Sequence, residues 1–359
     1  MQKIRIIFSE VSRLAGLLLV TFVTFGIFLF IIGKHPISVF RDMFIGSFGT
    51  SFSFQDTLIR ATPLMLTALC TLVPAHLGIM VIGNEGALLM GGLGSALFAS
   101  WFPVLPGPLG IMVTMLGGAV FGGVWILLVG LAREYRGMNA TITSLLLFYI
   151  GRGIYNFLVS GPLRDPATLN KPGTYRIPDN YVISTIGNSN VHWGLAVAVI
   201  FCLIMFYVLF YTRWGFSVRV AGGSAKAANL VGLAGTRLVL SACFIGGAAA
   251  GLAGALEVMA IHGNANLALY AGYGFGGILI AFAAKQNPLA VIPVSMILGG
   301  IQASSGLVQR RHGLPDATID MFEGLLFIVI LCAGLFPVIK ASGIKSLMSA
   351  GTRPEGERV

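Results

Sequence analysis

Apolar runs of about twenty residues, set apart by short polar stretches, follow one another along almost the whole chain. An α-helix needs about 20 such residues to cross a hydrocarbon core of roughly 30 Å, and ten stretches meet that need. They cover approximately residues 14–33, 59–79, 84–103, 109–131, 139–160, 191–212, 238–261, 269–284, 288–307 and 320–338. The eighth is short and interrupted by Gly272, Gly274, Gly276 and Gly277. The pattern predicts an all-α protein, a polytopic membrane helix bundle of about ten transmembrane helices. Composition agrees: of 359 residues, 56% are hydrophobic and 10% charged, whereas about a quarter of a soluble domain is charged. Too few charges remain to clothe a water-facing surface, which excludes a water-soluble enzyme and intrinsic disorder alike. Four Cys are too sparse for a secreted disulfide scaffold.

Lys3, Arg5 and Arg13 precede the first stretch as they would a signal peptide. Its apolar run is too long for that and ends in Gly33-Lys34-His35 rather than a small-residue cleavage site, so an uncleaved anchor is expected. The formal net charge of +10 suggests nucleic acid at first, yet no basic run with interleaved aromatics is present. The charge has an address instead. With the amino terminus inside, the inner segments hold Lys3, Arg5, Arg13, Arg133, Arg136, Arg213, Arg219, Lys226, Arg237, Lys285, Lys340, Lys345, Arg353 and Arg358. The outer segments hold Lys34, Arg41, Arg60, Arg164, Lys171, Arg176, Arg310 and Arg311, and Arg152 falls within a span. Counting acids too, the inside carries +10, the outside +3 and the spans −3. Cytoplasmic flanks collect Lys and Arg, so both termini are expected in the cytoplasm. The expected organisation is an amino-terminal segment 1–13, a transmembrane domain 14–338 and a cytoplasmic tail 339–359. Two connections stand out within it, an external loop 161–190 rich in Pro and a basic, acid-free cytoplasmic loop 213–237.

No Gly-x-x-x-x-Gly-Lys-Ser/Thr loop occurs, so the chain has no phosphate cradle of that kind. Gly272-Tyr273-Gly274-Phe275-Gly276-Gly277 matches a dinucleotide fingerprint only formally, since no strand precedes it; close helix packing or a broken helix explains it better. Cys70, Cys202, Cys243 and Cys332 lie in apolar spans without metal spacing, and no hydrolase motif involves the five scattered His. Gly118 with Gly122, and Gly247 with Gly251, have the spacing at which small residues let membrane helices approach closely.

Ionisable residues at membrane depth point to function, because each needs a partner, a cavity or an interface. They are Glu85, Arg152, Glu257, Asp320 and Glu323. Asp320 and Glu323 suit the start of the tenth span. For Glu85 a helix-cap role and a pathway role both stand, and Glu257 and Arg152 are candidate partners for each other. Asn84, Glu85, Asn156, Glu257 and Gln302 are the candidate path for a hydroxyl-rich solute, with Asn264 and Asn266 also of suitable chemistry.

Four blocks resemble the ABC importer permeases of the branched-chain amino acid, ribose and nucleoside superfamily. They are Ala61-Thr62-Pro63-Leu64 with Ile82-Gly83-Asn84-Glu85-Gly86, the stretch from Met138 to Leu147, the segment from Gly215 to Leu233, and Gly272-Tyr273-Gly274-Phe275-Gly276-Gly277 with Asn287-Pro288-Leu289. They occur in the family's order over roughly residues 55–338. Val81, Ala87 and Gly222-Gly223-Ser224 depart from the family pattern. The extra first helix and the Gly-Tyr-Gly-Phe block favour the nucleoside or simple-sugar branch.

The resemblance implies a non-catalytic permease subunit in the bacterial inner membrane, binding no cofactor or metal itself. Its implied partners are a cytoplasmic ATPase carrying ATP and Mg, a second permease copy or similar permease, an extracytoplasmic substrate-binding protein and membrane lipid, without nucleic acid. Coupling to the ATPase is implied for Gly215, Arg219, Gly222, Ala225, Lys226, Ala227, Ala228, Asn229 and Gly232, and Ala227→Glu or Ala228→Glu is expected to leave the protein folded but uncoupled. Two alternatives remain at this stage: a secondary transporter coupled to protons through Glu85 or Glu257, and a passive channel.

Overall fold

The computed structural model describes residues 16, 19–168, 171–224, 228, 230 and 232–332. The expected terminal segments 1–13 and 339–359 lie outside these residues. The described residues are helical apart from turns and two isolated bridges, and six helices among them are long and apolar enough to cross a membrane. The chain divides into two units, one of Met43–Leu307 and one joining the residues up to Asp42 with those from Val308 onward.

In the larger unit, α3 (Ser51–Ala75) starts well before the expected 59 because the Thr50 side chain caps it, accepting from the Ser53 N–H at 3.0 Å. Arg60 and Asp56 therefore lie within this helix and not in an outer loop. α3 ends at Ala75, and Gly78, at φ +71°, turns the chain back on itself. Residues 79–83 form an irregular connection, fastened by Thr71 Oγ1 donating to the Val81 carbonyl (2.8 Å) and the Ile82 N–H donating to Ser144 Oγ (3.0 Å). α4 (Asn84–Trp101) then begins beside the last third of α3. α5 (Gly107–Arg136) and α6 (Ala140–Ser160) follow, the second capped by Asn139, which accepts from the Thr141 and Ile142 N–H groups.

After the 161–190 loop come α7 (Gly194–Tyr211), the short α8 (Arg213–Gly223) and α9 (Gly235–Glu257), which runs on as a π turn, Val258–His262. α10 is only Tyr273–Ala283, and α11 is Pro288–His312. The stretch 269–284 is thus corrected: eleven residues reach about 16 Å, roughly half a hydrocarbon core.

Glycine builds the centre. Gly118 and Gly122 of α5 face Gly247 and Gly251 of α9 so closely that a Cβ on any of them would strike the opposite backbone or a side chain on it, and Gly91 of α4 meets Gly251 as well. Without a hydrophobic drive between helices in lipid, such backbone approach supplies the cohesion. α3 is the most enclosed of the long helices and α7 the least.

The connections fall into two groups. At one end the 161–190 loop folds over the end of α9, with the Thr174, Ile177 and Ile183 N–H groups donating to the carbonyls of Ala265, Gly263 and Met259, and it also holds Gln55 and Leu105. Buried Tyr181 anchors it, its hydroxyl bonded to the Phe102 carbonyl. At the other end Thr141 reaches Met80, Thr236 reaches Glu134, and Trp214 reaches Ser241.

The smaller unit holds α1 (Leu19–Ile31), most of α2 (Pro36–Phe44), the last residues of α11 and α12, the helix over 317–332. Phe22, Phe25, Phe40 and Phe322 pack ring against ring, with centroids 4.9–6.0 Å apart. Buried Asp42 accepts from Arg311 Nη1 at 2.6 Å and pairs with His312 Nε2 at 2.8 Å. Burial raises its pKa, but the hydrogen bonds from His312 and Arg311 outweigh this and hold the carboxyl below its ordinary value.

Candidate functional site

Asn84 and Glu85 are wholly buried at the first turn of α4. Asn84 Nδ2 donates to Thr71 Oγ1 (2.8 Å) and to the Thr67 carbonyl (3.0 Å), clasping α4 to α3. Glu85 reaches a different helix: its carboxylate oxygens accept from the Gly272 N–H (2.9 Å) and the Gly274 N–H. The amino terminus of α10 has no capping side chain of its own, and Glu85 satisfies two of the N–H donors there, one of them from 187 residues away. Thr67 Oγ1 completes the clasp by donating to the Tyr273 carbonyl at 2.9 Å. The glycines have distinct reasons: Gly272 sits at φ +79°, and a Cβ on Gly274 would strike the Glu85 backbone. The cap thus serves α10 and not the helix that carries Glu85.

Glu257 ends α9, and the π turn after it brings His262 Nε2 within 3.7 Å of its carboxylate. In a continuing α-helix the residue five positions on would point about 140° away; the wider π turn aligns them. Arg60 pairs with Asp56 at 3.3 Å, and both Arg60 and Glu85 lie within electrostatic reach of Glu257. Glu257 and Arg152 are not a pair.

Arg152 instead lies over the Tyr270 ring, its guanidinium carbon 4.3 Å from the centroid. It is exposed, at the thirteenth of the 21 residues of α6, and it makes no ion pair among the described residues. A charged side chain at a helix centre costs about 2.5–3.5 kcal/mol against lipid, which a ring face offsets only in part. Asn156 lies one turn further along the same face, exposed and without a hydrogen bond among the described residues. Gln302, half-buried on α11, lies beside Gly276 of α10. Asn264 and Asn266 bond to each other and to the backbone, fastening the loop over the end of α9. The candidate path residues therefore sit in different settings: Asn84 and Glu85 are enclosed in the clasp of α3, α4 and α10, Glu257 is buried beside His262, and Asn156 is open.

Of the expected coupling residues, Ala225, Lys226, Ala227 and Asn229 lie outside the described ones. Thr212 Oγ1 caps α8 by accepting from the Gly215 N–H at 3.2 Å, and Gly222 packs on the His76 carbonyl just after α3. Arg219 turns inward, its guanidinium carbon 5.1 Å from the Phe210 ring centroid. Ala228 is buried and Gly232 adopts φ +74°. The expectation that Ala228→Glu leaves the fold intact is corrected, because the new carboxylate would have no water. Phe216 and Leu230, missed in the sequence reading, are the large apolar side chains this segment exposes among the described residues. No sequence signal separates them from Trp214, Val218, Val220 and Leu233 of the same segment. No group of three potential metal ligands exists among the described residues.

A family model described as the permease component of branched-chain amino acid transport systems matches residues 53–333. A glucose ABC transporter permease of Haloferax volcanii is 27% identical over 87% of this chain and 84% of its own. A nucleoside ABC transporter permease of Lactococcus lactis is 27% identical, covering 91% of this chain and 92% of its own. A guanosine ABC transporter permease of Bacillus subtilis is 24% identical over 83% and 86%.

Proposed function

The chain belongs to the permease components of branched-chain amino acid transport systems, and from that premise we propose that the solute it carries is a nucleoside or a related simple sugar. It is a multi-pass integral membrane protein and the non-catalytic permease subunit of an ABC importer. In this proposal it sits in the bacterial inner membrane and pairs with a second copy or a similar permease. An extracytoplasmic binding protein delivers the solute, and ATP with Mg is held by a cytoplasmic ATPase.

The observation that carries the proposal is the likeness, over 83–91% of this chain, to permeases named for nucleosides, guanosine and glucose. α8 supports the coupling part. It is a short helix at the end of the larger unit that also bears the turn after α3, and Phe216 and Leu230 are exposed along the segment from Gly215 to Gly232. Apolar anchors of this kind suit a groove on another protein.

Reconstitution in liposomes with the ATPase and binding protein tests the proposal, using labelled guanosine and glucose. ATP-dependent uptake of either is expected, with Leu230→Glu reducing it at least about tenfold at unchanged thermal stability. Uptake that persists without the ATPase and collapses with a protonophore would establish the secondary transporter, and flux without any energy source would establish the channel.

A further inference from the structure

Arg152 and Asn156 share the open face of α6 with Tyr149, three residues before Arg152, so a single helical stripe carries a ring, a cation and an amide. The turn before α10 brings Tyr270 against this stripe, and Phe275 follows from the first turn of α10. Buried Phe148 fixes all three rings from behind, with centroids 4.8 Å from Tyr149, 6.2 Å from Tyr270 and 5.4 Å from Phe275. The Phe148 and Tyr270 rings are inclined by only 17°, so the Tyr270 plane is set by the core. Tyr149, Tyr270 and Phe275 remain exposed, as do the Arg152 guanidinium and the Asn156 amide, which make no hydrogen bonds among the described residues.

Lipid is a poor occupant for this surface. Acyl chains leave a guanidinium and an amide without acceptors, and charges at membrane depth face a cavity or an interface. We propose that the Arg152, Asn156 and Tyr270 face is the surface along which the solute travels, its rings stacking a nucleobase while Arg152 and Asn156 hydrogen-bond the base edge or sugar hydroxyls. The proposal rests on the solute class given above. Rings stack on any base, and a planar guanidinium lying on a ring keeps its edge free for acceptors. A site of this kind recognises a class of solutes without gripping one member, as a conduit requires. It also separates the pathway from the Asn84 and Glu85 clasp.

The test uses the assembled importer, with permease, ATPase and binding protein in liposomes. Tyr270→Leu and Arg152→Gln are expected to slow guanosine uptake about tenfold, with stimulated ATP hydrolysis retained, and Tyr270→Phe to stay near the wild-type rate. Asn156→Cys, in a Cys332→Ser background that removes the exposed native thiol, is expected to react with a membrane-impermeant maleimide and to be shielded by excess guanosine. Unchanged uptake in Tyr270→Leu, together with labelling of Asn156→Cys that guanosine does not shield, would overturn the proposal. Reaction only with a lipid-soluble reagent would assign the face to lipid. Reaction in the isolated permease but not in the assembled importer would assign it to a second permease copy. Absence of ATP-dependent uptake in the wild type would defeat the solute reading instead, and the labelling pattern would still decide whether the face meets water.

Discussion

Glu85 and Arg152 are both ionisable residues carried into the membrane on helices, and the same physical rule singles them out. Their surroundings differ completely. Glu85 is enclosed, and two backbone N–H groups of α10 bond its carboxylate. Arg152 is exposed and has one ring face for company. Glycine surrounds the first residue and aromatic rings the second. The two charges differ in what is left over: the Glu85 carboxylate oxygens are both engaged, whereas the Arg152 donors are not among the described residues.

Substitutions can break this contrast. Glu85→Leu should have the largest effect, about 3–5 kcal/mol of stability, because it strands the buried Gly274 N–H and the part-buried Gly272 N–H at the start of α10. Thermal unfolding in detergent would measure it, and a near-native midpoint would refute the fastening role. Gly274→Ala should cost about 2–3 kcal/mol by forcing the helix off the Glu85 backbone; an unchanged midpoint would mean that the approach is looser than described. Arg152→Ala should change stability by less than about 1 kcal/mol, and unfolding in that variant would collapse the contrast.

Asp42 sharpens the comparison between those extremes, since it is a buried carboxylate outside the spans held by the side chains of Arg311 and His312. Its folded pKa lies below the ordinary value, so its contribution is complete above about pH 4 and is lost as pH falls through the folded value. Asp42→Asn should remove about 1 kcal/mol at neutral pH, a figure discounted for solvent screening because the Arg311 side chain is 54% exposed. Wild type and variant should converge below about pH 4. Parallel curves throughout would show that the carboxylate makes no net contribution.

The long helices were legible because a twenty-residue apolar run has few other uses in a chain so poor in charge. Their ends were less so. α3 begins at a Thr50 cap inside a stretch that reads as a loop, and α10 is short because Gly272 and Gly274 serve another residue's carboxylate. Periodicity reports on neighbours three or four positions apart and cannot register a bond across 187 residues. The exposed faces of α6 and α7 were equally hidden. In lipid an outward face can be as apolar as an inward one, and the run Ile200-Phe201-Cys202-Leu203-Ile204 gives no sign that Cys202 is buried and Leu203 exposed. The stripe of Tyr149, Arg152 and Asn156 had a visible helical spacing, but only the fold supplies Tyr270 to complete it.

The bond from Glu85 to Gly272 also bears on how the protein is made. A ribosome adding about 5–20 residues per second takes roughly 10–40 s to travel from one to the other. Throughout that interval α4 has been synthesised while the donors that will hold its carboxylate do not yet exist. Translation supplies the helices in order, but the clasp closes late. A polypeptide cut short before Gly272 carries an unanswered carboxylate, so the same contact that joins two helices also marks a chain whose synthesis has passed that point.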